Sequence, residues 1–191
     1  MSSSTAAGVQ RAGAATAGTN LRNLYYARSG FAVLWAVLLI LSASTLNPVS
    51  IALLVLYPLV DLAAAVVDLR SSGATRARTP LYANLALSLL AAIALAVAVT
   101  SGIPSVLRVW GAWAITAGVV QLIVAILRYR LGGQWPMILS GGLSTLAGTG
   151  FVLMAAGANA SISGIAGYAT VGGVFFLSSA IRLHRLAAAA K

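Results

Sequence analysis

Val106-Leu-Arg-Val-Trp-Gly-Ala-Trp-Ala-Ile-Thr-Ala-Gly-Val-Val-Gln-Leu-Ile-Val-Ala-Ile-Leu127 is an almost unbroken apolar run, and its length decides the fold. At a helical rise of ~1.5 Å per residue it covers about 30 Å, the thickness of a bilayer's hydrocarbon core. Gly102 and Pro104 interrupt the chain before it, and Arg128 and Arg130 stand just beyond its end. A helix apolar on every side needs either a large protein core or lipid around it. The span of a membrane suits both its length and its composition.

Working outward, five more stretches read the same way: residues 29–45, 48–67 and 81–100 before it, and 135–156 and 162–181 after it. Their connections are short, so the chain reads as an all-α membrane protein with six transmembrane helices arranged as three helical hairpins, 29–67, 81–127 and 135–181. Residues 1–28 are rich in Ala, Ser, Thr and Gly and lack the apolar core of a secretory signal, so they read as a flexible cytoplasmic N-terminal tail. Residues 29–185 form the membrane domain and 186–191 a cytoplasmic C-terminal tail.

The composition agrees. Of the 191 residues, 60% are hydrophobic and 7% charged, against about 25% charged in soluble domains. Twelve Lys and Arg face two Asp, with no Glu, for a net charge of +10. In a soluble chain that excess would suggest nucleic acid; here it points to the lipid bilayer, including anionic headgroups on the cytoplasmic side, and no nucleic-acid partner is expected. With no Cys and one His there is no thiol nucleophile and no metal-ligand spacing, and no nucleophile–base pair or phosphate loop occurs. Neither an enzyme nor a bound cofactor is expected.

Positively charged loops stay on the cytoplasmic side. Arg11, Arg22 and Arg28 precede the first span; Arg70, Arg76 and Arg78 follow the second; Arg128 and Arg130 follow the fourth; Arg182, Arg185 and Lys191 follow the sixth. Only Arg108 falls on the other side. This places a multi-pass protein in the plasma membrane with both termini cytoplasmic. Trp35, Trp110, Trp113, Trp135, Tyr25, Tyr26, Tyr82 and Tyr129 fall near span ends and read as interfacial anchors.

The even-numbered spans end alike, as Ala65-Val-Val-Asp-Leu-Arg70, Ala125-Ile-Leu-Arg-Tyr-Arg130 and Ala180-Ile-Arg-Leu-His-Arg185. Trp113 with Tyr168 and Gly118 with Gly173 extend the match between the last two, so the sequence reads as a repeated hairpin entering from one side. The stretch Gln134-Trp-Pro-Met-Ile-Leu-Ser-Gly-Gly-Leu-Ser-Thr-Leu-Ala-Gly148, then Gly167-Tyr-Ala-Thr-Val-Gly-Gly173 and Ala180-Ile-Arg182, resembles the HdeD family of bacterial acid-resistance membrane proteins. The resemblance covers roughly residues 28 to 185 and implies a six-helix inner-membrane protein linked to acid stress, without an established enzymatic activity. The first hairpin departs from the pattern, with Tyr57, Pro58 and Asp61 in place of glycines.

Asp61 is the residue that does not suit lipid. An ionisable group inside an apolar span costs about 2.5–3.5 kcal/mol on insertion scales and marks a functional candidate. Measured inward from the cytoplasmic helix ends, Gln121, Asn84, Ser88, Ser140 and Ser144 lie at comparable depth, so a polar layer around Asp61 is expected. Two readings follow. Asp61 fixes helix packing through hydrogen bonds, or it senses or relays protons within a small channel or proton-coupled transporter. Asp68, at the cytoplasmic end of the same span, is expected to pair with an arginine. The stripe of Ser140, Ser144 and Gly148, with Gly141 and Thr145 beside it, suits close helix packing, within a tight bundle or at the seam of a homo-oligomer.

Overall fold

The computed structural model of the protein describes residues 2–71 and 78–189, with side chains described from Gly18 onward apart from Ser71. Arg76 and Lys191 lie outside the described residues, as does the side chain of Arg11. Six helices follow one another: α1 (Ser2–Ser42), α2 (Pro48–Ser71), α3 (Arg78–Ala98), α4 (Ile103–Leu127), α5 (Trp135–Met154) and α6 (Ser163–Ala189). Each carries a stretch long and apolar enough to cross a membrane. All the regular structure among the described residues is helical, and the six spans make this a multi-pass integral membrane protein.

The turns are made by the residues that interrupt the apolar runs. Between α1 and α2, the Asn47 side-chain oxygen accepts the Val49 and Ser50 amides, both at 3.0 Å, while its Nδ2 donates to the Ser42 carbonyl at 2.8 Å. One side chain thus caps a helix start and satisfies a carbonyl at the preceding helix end. Pro104 and Pro136 sit in the first turns of α4 and α5, where a missing N–H costs nothing. Before α5, Gly132 and Gly133 take φ of +76° and +65°, a conformation that a side chain would strain.

Two boundaries differ from the sequence reading. The first helix does not begin near residue 29: α1 is helical from Ser2, and its spanning stretch is Gly18–Ser42. The segment read as a tail is rich in alanine, the best helix former, and Leu21 and Tyr25 within it are buried in a cluster with Ala125, Met137, Phe176, Ala180 and Leu183. Arg28 therefore stands inside the first span, not ahead of it.

The helices form a closed ring. Each packs against its neighbours in sequence, and α1 packs against α6 to complete the circuit. Hairpin partners α1–α2, α3–α4 and α5–α6 touch, but the closer pairs lie between hairpins, α2 with α3, α4 with α5 and α6 with α1. The α4–α5 seam explains its own closeness. A Cβ on Gly118 would lie 2.8 Å from the Gly141 carbonyl oxygen, and one on Gly111 would lie 2.6 Å from that of Gly148. These glycines face each other in pairs, so the backbones meet directly and dispersion replaces the hydrophobic drive that lipid does not supply.

The interior is layered. At the end of the ring carrying the 43–47, 99–103 and 155–162 connections lies a large apolar core that includes Trp35, Leu39, Leu54, Leu95, Leu107, Trp110 and Ile165. Trp35 stacks on Trp110 with centroids 5.7 Å apart, and Tyr57 and Trp113 meet the same cluster edge-on. This corrects the reading of Trp35, Trp110, Trp113 and Tyr25 as interfacial anchors, since all four are buried. Tyr26, Tyr82, Tyr129 and Trp135 are exposed, as anchors must be. At the opposite end is the smaller cluster around Tyr25 and Phe176. Asp61, Asn84 and Ser88 lie between the two.

Candidate functional site

Asp61 projects from the middle of α2 into the ring, buried, with donors from two neighbouring helices. Arg28 of α1 forms an ion pair with its Oδ1. On α3, Asn84 Nδ2 and Ser88 Oγ both donate to Oδ2, at 2.7 and 2.8 Å. Asn84 and Ser88 are one helical turn apart, so both reach the same oxygen. Trp113 Nε1 of α4 donates to Ser88 Oγ at 3.4 Å and joins a fourth helix to the network. A charge pair and its hydrogen bonds thereby connect four of the six helices around one carboxyl group.

Arg28 was missing from the expected layer. Its guanidinium carbon lies 4.2 Å from the centroid of the Phe176 ring, a cation–π contact that covers one face of the charge. Apolarity alone ends a span at the first arginine. The counter-charge on α2 and the aromatic face on α6 are what let this arginine stand at mid-depth. The signal in the sequence was Asp61 itself, because a buried acid calls for a nearby base.

The rest of the expected layer lines a cavity beside this network without bonding to Asp61. The cavity has a volume of about 460 Å³, and Arg28, Tyr57, Asp61, Trp113, Gln121, Ser140, Ser144 and Tyr168 all border it. Gln121 Nε2 donates at 3.3 Å to the Met137 carbonyl. Ser144 Oγ donates to the Ala114 carbonyl at 2.9 Å and lies 2.6 Å from the Tyr168 hydroxyl. Ser140 also faces the cavity, and its hydroxyl has no hydrogen bond among the described residues. Asp61, Asn84 and Ser88 thus meet directly, while Gln121, Ser140 and Ser144 stand across an open space from them. Tyr57 and Tyr168, which spacing alone did not single out as site residues, complete the wall.

A second charge pair lies further along α2. Arg128 Nη1 donates to Asp68 Oδ2 at 2.6 Å, with Arg128 only 3% exposed. Its Nε and Nη2 are buried without hydrogen-bond partners among the described residues. Between the two pairs is a void of about 70 Å³, bordered by Tyr25, Arg28, Asp61, Asp68, Asn84, Gln121 and Arg128. It is polar and roomy enough for a few waters. Charge and hydrogen-bonding groups therefore run from mid-depth to the end of the ring where α4 meets α5.

The geometry can bind a small molecule against a fixed dipole, or pass a proton along a wet interior. No family model matches the chain, and neither a curated protein nor a solved structure matches it.

Proposed function

We propose that the protein is a non-enzymatic component of a bacterial plasma membrane, of the HdeD type, that supports survival of acid stress. The observation that carries this reading is the Arg28–Asp61 pair with Asn84 and Ser88, which joins three spans through a carboxylate. That carboxylate is the counter-charge of the half-buried Arg28 guanidinium, so one side chain ties the packing of α1, α2 and α3 together. The similar endings of the second, fourth and sixth spans support reading the chain as an internal repeat. The asymmetric placement of arginines supports cytoplasmic termini. Anionic lipid headgroups are the partners this charge favours on that side.

The test is survival of the host after a drop in external pH. A strain lacking the protein is expected to die faster, with rescue by the wild-type chain and weaker rescue by Asp61→Asn. Equal survival of the deleted and wild-type strains overturns the reading.

The second reading, a small channel or proton-coupled transporter, is favoured by one observation: the 460 Å³ cavity and the 70 Å³ void share Arg28, Asp61, Gln121 and Phe176 in their walls. Liposomes containing the purified protein and a pH-sensitive dye decide it. Proton flux above that of empty liposomes, lost in Asp61→Asn, supports transport; flux equal to empty liposomes removes it.

A further inference from the structure

The 460 Å³ cavity is not sealed inside the ring. Its wall includes Leu143 and Leu146 of α5 and Val171, Gly172 and Phe175 of α6. Leu143, Leu146 and Val171 are 46%, 69% and 49% exposed, so these side chains also form the outer surface of the protein. The α5–α6 pair is the loosest in the ring, and a Cβ on Gly172 would meet nothing within 4 Å. Leu143 and Leu146 stand near the middle of α5, so the mouth opens at the depth of the hydrocarbon core and away from either aqueous face.

A ligand reaching this mouth comes from the lipid phase and is largely apolar. At the inner end it meets Arg28, Gln121 and Ser140. Ser140 is 8% exposed as a residue, and its hydroxyl, which faces the cavity, has no hydrogen-bond partner among the described residues. The Gln121 amide oxygen is free to accept, because the hydrogen bond of that side chain is made through Nε2. These groups match a head that both donates and accepts. Arg28 and Asp61 already balance each other, so a charged head would bring an uncompensated charge into the middle of the bilayer. The volume lies within the range of sites that enclose small molecules, about 300–1,000 Å³. A hydrocarbon chain then leaves between Leu146 and Val171.

We propose that the cavity is a lateral binding site for a single-chain amphiphile with an uncharged hydroxyl-bearing head, entered from the bilayer between α5 and α6. The head rests on Ser140, Gln121 and Arg28, and the chain fills the mouth beside Gly172. This site is independent of the acid-stress reading, because binding is measured on purified protein.

The probe is a long-chain fatty alcohol carrying a diazirine in its chain, added to the full-length protein in nanodiscs of phosphatidylglycerol and phosphatidylethanolamine. Saturable crosslinking confined to α5 and α6 is expected. Gly172→Leu, which fills the mouth from a position with free space, is expected to abolish it while elution profile and melting temperature are kept. Val171→Trp, which narrows the mouth from its rim, provides a second blocked form. Ser140→Ala is expected to weaken saturation by about fivefold, the loss of one hydrogen bond between neutral groups. Competition by a fatty acid when it is protonated but not when it is ionised supports the uncharged head. Labelling spread round all six helices, labelling that does not saturate, or labelling unchanged in both blocked forms overturns the site. Equal competition by ionised fatty acid or by phosphatidylglycerol overturns the stated head chemistry.

Discussion

Both oxygens of the Asp61 carboxylate are engaged, Oδ1 by Arg28 and Oδ2 by Asn84 and Ser88, and the energetics follow from what is left when one partner goes. Arg28→Ala leaves Asp61 with two neutral donors and no counter-charge in a low-dielectric interior. Breaking a buried pair in this way costs about 3–5 kcal/mol, whereas replacing both members by apolar residues is often close to neutral. Thermal unfolding in detergent is therefore expected to show large losses for Arg28→Ala and Asp61→Ala singly. The double variant Arg28→Leu with Asp61→Leu is expected to recover most of the loss. A double variant no more stable than either single one would show that hydrogen bonding to α3, and not the ion pair, dominates. At this scale the sequence was half legible. Asp61, Asn84 and Ser88 share a depth that a helical ruler finds from one end of each span. Arg28 escaped because a base is read as the edge of a span until its acid is known. Gln121 lies in the right layer but turns its amide towards Met137, an orientation that depth alone cannot give.

Among elements, the α4–α5 seam is the most sharply specified. The Cβ positions of Gly118 and Gly141 are occupied by the partner helix's backbone, so neither can take a side chain without separating the pair. Gly118→Val is expected to lower stability by about 1–3 kcal/mol, the usual cost of overpacking, or to prevent assembly. Gly142→Ala, one residue along α5 from Gly141 and facing open space, is expected to leave the melting temperature nearly unchanged. Equal effects at both positions would mean that glycine's backbone freedom, not close approach, is what α5 uses. The number and order of helices were legible because apolar length is a strong signal in a membrane chain. Which helices pack most closely was not. Short loops suggested tight hairpins, while small-residue faces placed the closer contacts between them. Trp35, Trp110 and Trp113 misled for a related reason: nearness to a span end in sequence says nothing about which way an indole points into the ring.

For the molecule as a whole, the charge asymmetry makes a prediction about sidedness that the absence of native cysteines renders easy to test. Ser101→Cys, in the exposed connection before α4, is expected to react with a membrane-impermeant maleimide in intact cells. Ala187→Cys, in the exposed last turns of α6, is expected to react only after the cells are opened. The reverse pattern would invert the protein in the membrane. Labelling of both sites in intact cells would break the expected topology altogether.

The contact of α1 with α6 joins the first span to the last, so it can close only after every other span has been made. During synthesis α1 enters the membrane first, and Asp61 on α2 neutralises Arg28 as soon as the first hairpin is in place. The aromatic cover of Arg28, Phe176, and the partners of Leu21 and Tyr25 on α6 arrive only with the last span. Every nascent intermediate therefore carries an open ring with an incompletely shielded arginine, and such long-range closure is slow relative to local pairing. A chain cut short before α6 retains that ion pair without its aromatic cover. It would present membrane quality control with a mark that distinguishes an unfinished copy from a complete one.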